Sequence, residues 1–221
     1  MHLIEENKNK FEIYCNFLIE ENKKYNLTSI TNPTEIMIKH FEDSIAMYNY
    51  INLENVTTLC DVGSGAGFPA IPLKICFPHL KVTIIEPTLK RIKFLEMLIE
   101  KLELKNVTLI NARAEDVSKQ FEEQFDICTA RAVANTSILL ELLVKMVKIN
   151  GLLVLYKGEK GLEESNEAKN AANILDCKLV NVFSYNLRNE YGARSLLEYI
   201  KVKQTKDKYP RRYAEIKKKP L

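Results

Sequence analysis

A buried strand running straight into alternating glycines constrains this chain more than any other feature. Thr57-Thr58-Leu59-Cys60 leads into Asp61-Val62-Gly63-Ser64-Gly65-Ala66-Gly67-Phe68-Pro69. Glycine has no Cβ and tolerates positive φ, so a strand ending this way turns sharply and lets a ligand touch its backbone. The spacing is G-x-G-x-G, not G-x-G-x-x-G, and no Gly-Lys-Ser/Thr follows. That pattern disfavours a loop that cradles a pyrophosphate. A methyl-donor nucleotide, with ribose, adenine and an amino-acid tail, fits better.

One strand later, Lys81-Val82-Thr83-Ile84-Ile85-Glu86 ends on a carboxylate 21 positions after Gly65. An acid about 20 residues beyond the glycine loop is where a doubly wound fold accepts the hydrogens of a ribose diol. From Val56 onward strands and helices alternate, with strands expected near 57–62, 81–86, 107–110, 125–130 and 151–156. Leu89, Ile92, Leu95, Ile99 and Leu102 form one helical stripe, and Ile138 to Val147 another. Lys178 to Tyr185 and Leu196 to Val202 are too close for a helical crossover, so they pair as a hairpin around Gly192 and give the sheet one antiparallel strand. The fold class is therefore α/β, a class I methyltransferase (Rossmann-like) mixed seven-stranded sheet, rather than a dehydrogenase.

Ahead of the sheet, Ile4, Phe11, Tyr14, Cys15 and Leu18 share one face of an amphipathic helix over 4–21. Asn32-Pro33-Thr34-Glu35 supplies an N-cap, a proline at the first helical position and an acid in the first turn, so a second helix starts there and reaches about Tyr50. Residues 1–52 thus read as a helical cap, 53–205 as the nucleotide-binding domain and 206–221 as a basic tail. The tail holds seven Lys/Arg and two Asp/Glu, so it carries +5 against −2 for the rest. Its interleaved Tyr209, Pro210 and Tyr213 favour an arm that lies on a polyanion, and the tail is expected to pack on or near the site. Five cysteines without a C-x-x-C pair read as buried small hydrophobes in a reducing compartment. No apolar run approaches the ~20 residues of a membrane helix. The expectation is a cytoplasmic, metal-free monomer with no membrane partner.

The ordered segments Tyr25-Asn26-Leu27-Thr28, His40 with Asp43-Ser44, Asp61 through Pro72, Lys90-Arg91, Arg113-Ala114-Glu115, Ala130-Arg131-Ala132, Lys157-Gly158, Arg194 and Tyr209-Pro210-Arg211 point further. Together they resemble the RsmG (GidB) family of bacterial enzymes that methylate N7 of a guanine in small-subunit (16S) ribosomal RNA. The resemblance implies S-adenosylmethionine as cofactor and ribosomal RNA or the small subunit as partner. It implies that Gly63 and Phe68, with Gly65 of the same loop, line the cofactor, that Glu86 holds its ribose, and that Ala114 and Glu115 border its adenine. Arg131 would face both cofactor and target base. Ala70 departs from the glycine common in the family, and Thr129 from its serine.

Such a transfer fits a sequence with no Pro-Cys nucleophile, no Asn-Pro-Pro-Tyr element, and no histidine beside a Ser or Cys. Arg131 is the expected catalytic residue, since a guanidinium can hold guanine O6 or a phosphate without blocking N7. The plain alternative for it is an interior ion pair with Asp126 or Asp61. Lys90, Arg113, Lys157 and Arg194, at or near strand ends, with Arg211 in the tail, are expected on RNA phosphates. His40 and Asp43, three apart on one face of a helix, read as a hydrogen-bonded pair between cap and core rather than as catalytic groups. A small-molecule methyltransferase and a non-catalytic RNA-binding protein with a nucleotide pocket are the alternative functions.

Overall fold

The computed structural model describes residues 2–221. Seven strands form one sheet: β1 (Thr58–Val62), β2 (Lys81–Ile85), β3 (Val107–Ile110), β4 (Phe125–Arg131), β5 (Val147–Lys157), β6 (Cys177–Asn186) and β7 (Ala193–Lys201). Their order is β3-β2-β1-β4-β5-β7-β6, with β7 antiparallel to both neighbours and the pairs from β3 to β5 parallel. The order reverses between β1 and β4, and ligands of open α/β sheets bind at such a switch point, beyond the carboxyl ends of the strands.

Side chains alternate across the sheet with period two. Leu59, Val82, Ile84, Ile127, Val154 and Leu196 join the core under the cap, whereas Cys60, Ile85, Cys128, Ala130, Leu153 and Leu197 join the core on the other face. The cap-side face is covered by the helices Lys8–Tyr25, Ala70–Cys76 and Leu89–Lys101, and the far face by Thr136–Leu143, Lys169–Ile174 and the tail helix Tyr213–Lys218. Continuing the alternation from Ile127, Thr129 and Arg131 point under the cap. So does Asp61, two residues after Leu59.

The predicted strands all form. The stripe expected to run to Val147 stops as a helix at Leu143, because Val147 pairs with Phe125 and opens β5 four residues earlier than expected. The first helix is interrupted at Asn7, giving His2–Glu6 and Lys8–Tyr25. The second starts as expected, with the Asn32 side chain accepting from the Thr34 and Glu35 amides. It then widens to a π-helix over Met37–Glu42 before Asp43–Ile45 returns to α geometry. The tail packs against the body of the fold, with Tyr209 and Ile216 buried in the far-face core.

Candidate active site

Turns at the ends of β1, β2 and β4 meet in one crevice. After β1 the chain passes Gly63 (φ 72°), Gly65 (φ 61°) and Gly67 (φ 101°). A Cβ on Gly63 would lie 2.6 Å from Val133 Cγ2, and one on Gly67 2.7 Å from the Tyr14 hydroxyl, so both positions require glycine for space as well as for φ. Glu86, wholly buried beyond β2, folds back on this loop. Its Oε2 accepts from the Gly65 amide at 3.0 Å and its Oε1 from the Thr88 amide at 2.9 Å. Arg91 Nη1 reaches both oxygens only at 3.4–3.5 Å. Contacts that long are weak, so each oxygen keeps acceptor capacity for a ligand hydroxyl.

Beside Glu86 lies a cavity of about 270 Å³, lined by Val62, Gly63, Ile85, Ala114, Glu115, Val133 and Leu142, with Arg113 and Tyr213. Burial raises the Glu115 carboxyl above the usual range. Asp61 is fully buried, and among the described residues neither of its carboxylate oxygens has a hydrogen-bond partner, nor has the Ser64 hydroxyl. Burial pushes the Asp61 carboxyl up to about 7. Ser64 and the Ala70 amide are near enough to pull it partway down without completing a hydrogen bond. Unpaired buried carboxylates are costly, and a ligand cation or donor would satisfy this one.

Arg131, at the end of β4, is held from the cap. Its Nη1 donates to Asp43 Oδ2 at 2.8 Å and reaches the carbonyls of Lys39 and His40 at 3.3 and 3.4 Å. Its Nη2 donates to His40 Nδ1 at 3.3 Å. The guanidinium sits 4.9 Å over the Phe68 ring, which stacks on the His40 ring at 4.4 Å. With Nδ1 accepting, the His40 proton belongs on Nε2, 2.9 Å from Thr28 Oγ1. Burial, then the charge of Arg131, lowers the His40 pKa to about 3, so the ring is neutral near pH 7 with its lone pair engaged.

A second cavity of about 350 Å³ opens here, lined by Arg131, His40, Asp43, Tyr156, Lys157, Glu164 and Arg194 among others. The two cavities share Ala132, whose φ of 58° turns the chain sharply after β4.

Of the residues picked from sequence, Gly63, Glu86, Arg113, Ala114 and Glu115 line the first cavity, and Arg131, Lys157 and Arg194 the second. Gly65 contributes its amide to Glu86. Phe68 lines neither cavity, because its ring is buried between Arg131, His40 and Tyr14. The partner of Arg131 is Asp43, neither Asp126 nor Asp61; Asp126 lies at the opposite end of the sheet, accepting from the Thr57 and Thr58 amides. Lys157 is buried, donating to Glu164 and to the Ala134 carbonyl, both at 2.7 Å, and burial lowers its pKa. Lys90 is exposed on the helix after β2 and lines neither cavity. Arg211 is occupied by the fully buried Glu141, at 2.7 Å through Nε and 2.5 Å through Nη2.

Sequence reasoning missed Asp61 and Ser64 as site residues, although strand alternation from Leu59 already aims Asp61 under the cap. It took His40 and Asp43 for a hydrogen-bonded pair between cap and core, and both do bond across to Arg131. Their shared helical face was the available signal, but their common target 91 and 88 positions away was not. Val133 carried no signal, and Tyr213 was read only as part of the basic tail, not as a wall of the cavity.

Residues 7–191 match the family model described as rRNA small subunit methyltransferase G. Ribosomal RNA small subunit methyltransferase G of Bacillus subtilis is 47% identical over 214 residues, which are 96% of this chain and 90% of the relative. That of Staphylococcus saprophyticus is 45% identical over 222 residues, 100% of this chain and 93% of the relative. Among solved structures, M. jannaschii TYW2 in complex with AdoMet superposes with a TM-score of 0.59 at 22% identity, over 74% of this chain and 76% of that one. A SAM dependent methyltransferase from Aquifex aeolicus gives 0.58 at 18% identity, over 76% and 94%. These structural likenesses establish the fold, that of the class I methyltransferases.

Proposed function

Because the chain belongs to the rRNA small subunit methyltransferase G family, and is therefore an S-adenosylmethionine-dependent ribosomal RNA methyltransferase, we propose that its acceptor is N7 of a guanine in 16S ribosomal RNA, methylated without a general base. The observation that carries this reading is the meeting of two unlike cavities at Ala132. One offers a ribose acceptor and apolar walls. In the other, the groups able to take a proton are already engaged: His40 by Arg131, Asp43 by Arg131 and Tyr185, Glu164 by Lys157.

The residues present suit the cofactor. Glu86 would accept from the ribose hydroxyls, Ala114, Val133 and Leu142 would flank the adenine, and the unpartnered Asp61 and Ser64 would receive the ammonium of the amino-acid tail. When bound, S-adenosylmethionine supplies a methyl on a sulfonium; the N7 lone pair takes it as the carbon–sulfur bond breaks onto sulfur, leaving the positive charge on the purine and moving no proton. What the protein contributes is alignment and exclusion of water, and alignment alone is worth about 7–11 kcal/mol of a barrier. Arg131, fixed over Phe68, would hold guanine O6. A stacked guanine cannot enter the second cavity, so the target is a splayed or looped-out base. We place the reaction in the cytoplasm, on RNA or the small subunit, with a monomer as the working unit.

Nucleoside mass spectrometry on 16S ribosomal RNA from cells lacking the protein tests this directly. Loss of 7-methylguanosine, restored by the wild-type gene, is expected. Unchanged 7-methylguanosine with loss of a different methylated nucleoside overturns the N7 assignment.

A further inference from the structure

Arg131 points a positive charge at the place where, on the reading above, the acceptor purine itself becomes a cation. A guanidinium left uncompensated there would oppose the transfer it helps to align. The cap places a carboxylate against it. Asp43 is 5% exposed; its Oδ2 takes Arg131 Nη1 at 2.8 Å, its Oδ1 takes the Tyr185 hydroxyl at 2.8 Å, and Arg194 Nε stands 3.8 Å from the same Oδ1. One carboxylate from the cap therefore ties the ends of β4, β6 and β7 and faces two arginines. Of the other charged groups lining this cavity, Lys157 pairs with Glu164 and Lys39 with Glu35, and the buried Asp61 also feels the charge of Arg131.

The contacts also select an edge of the guanidinium. Nη1 is taken by Asp43 and the two cap carbonyls, and one hydrogen of Nη2 by His40 Nδ1. Of the five N–H donors, Nε–H and one Nη2–H have no partner among the described residues. Two adjacent donors can converge on a single carbonyl oxygen such as guanine O6 and leave the N7 lone pair clear.

We propose that Asp43 is a positioning residue for methyl transfer: it fixes which edge of Arg131 faces the acceptor purine, and its negative charge cancels the arginine's, so that the pair donates to guanine O6 without repelling the cation formed at N7. The inference rests on the N7 reading. In the balanced step the bond from N7 to the methyl carbon forms, the carbon–sulfur bond breaks with its electron pair staying on sulfur, and the charge crosses from sulfur to the purine. Asp43 exchanges no proton.

The test compares wild-type enzyme with Asp43→Asn, an isosteric change that removes the charge and leaves one oxygen to accept from Arg131 while the new NH2 can donate to the Tyr185 hydroxyl. The probes are 16S ribosomal RNA unmethylated and methylated at the target guanine. Misplacement of a reacting group costs up to about 100-fold, so kcat is expected to fall toward that limit with the KM for S-adenosylmethionine unchanged. The charge effect has its own readout: binding of the methylated RNA should weaken relative to the unmethylated RNA, on the order of tenfold. In an Arg131→Ala background, Asp43→Asn should add nothing to the loss of kcat. Wild-type kcat in Asp43→Asn, or equal weakening for both RNAs, overturns the inference. Should Asp43→Asn fail to fold, Tyr185→Phe frees only Oδ1; a smaller shift in the same two readouts supports the proposal, and none overturns it. Wild-type enzyme that leaves 16S ribosomal RNA unmethylated instead overturns the N7 reading on which this depends.

Discussion

Asp61 and Glu86 are both carboxylates withdrawn from water at the edge of one loop, yet only Glu86 has backbone donors. The difference makes Asp61 a pH-dependent liability in the cofactor-free fold. Its pKa rises from 3.8 to about 7 on folding, so between those values the folded state holds a proton that the unfolded chain has released. The stability this contributes is present below about pH 4 and lost as pH rises through about 7. Asp61→Asn removes the titration. Wild-type stability relative to the variant should therefore fall between pH 4 and pH 8, by at most about 4 kcal/mol at 1.4 kcal/mol per pH unit. Thermal denaturation across that range measures it, and a gap that stays flat or reverses would rule out the burial of an unpaired carboxylate. Strand alternation made the direction of Asp61 readable from sequence. Its lack of hydrogen-bond partners was not, since the groups around it include Tyr14 and Arg131, 47 and 70 positions away.

At the scale of elements, the cap is coupled to the cofactor loop as well as to Arg131. Tyr14, fully buried on the long cap helix, donates to the Ala66 carbonyl at 2.5 Å, and its ring stacks on Phe68 at 5.5 Å. Phe68, drawn from sequence as a cofactor contact, also joins the loop to the cap. Tyr14→Phe keeps the ring and leaves that carbonyl unpaired, which costs about 1–3 kcal/mol. It should lower the denaturant midpoint and weaken S-adenosylmethionine binding together, as read by calorimetry. Unaltered cofactor affinity at reduced stability would confine Tyr14 to packing. The caps, stripes and strands that define the fold were legible because each is a local pattern: Asn32-Pro33 sets its helix, and the apolar alternation its strands. The π-helix at Met37–Glu42 was not legible, because the widened turn coincides with a tertiary contact, Arg131 reaching the Lys39 and His40 carbonyls. Hydrophobic periodicity carries no record of such a partner.

Across the whole molecule, charge is where counting residues misleads most. The sequence groups Lys90, Arg113, Lys157, Arg194 and Arg211 as one basic path, but the fold divides them. Lys157 and Arg211 are bound to acids inside the protein, and Arg194 leans on Asp43. Lys90 and Arg113 are exposed and form no ion pair among the described residues, Arg113 resting 5.5 Å over the Tyr213 ring. Their phosphates should be felt as released counterions. Lys90→Ala and Arg113→Ala are each expected to weaken 16S ribosomal RNA binding and to flatten the slope of log K against log salt by about 1, with the melting temperature unchanged. Arg211→Ala should do the reverse. It strands Glu141, whose side chain is 0% exposed, and breaking such a pair costs about 3–5 kcal/mol, so the fold loses stability while the salt slope holds. Titrations from low to moderate salt, paired with thermal melts of the three variants, separate the two classes. A flattened slope in Arg211→Ala at wild-type stability would return the tail to the role of an RNA arm, and an unflattened slope in Lys90→Ala and Arg113→Ala would move the RNA path away from the ends of β2 and β3.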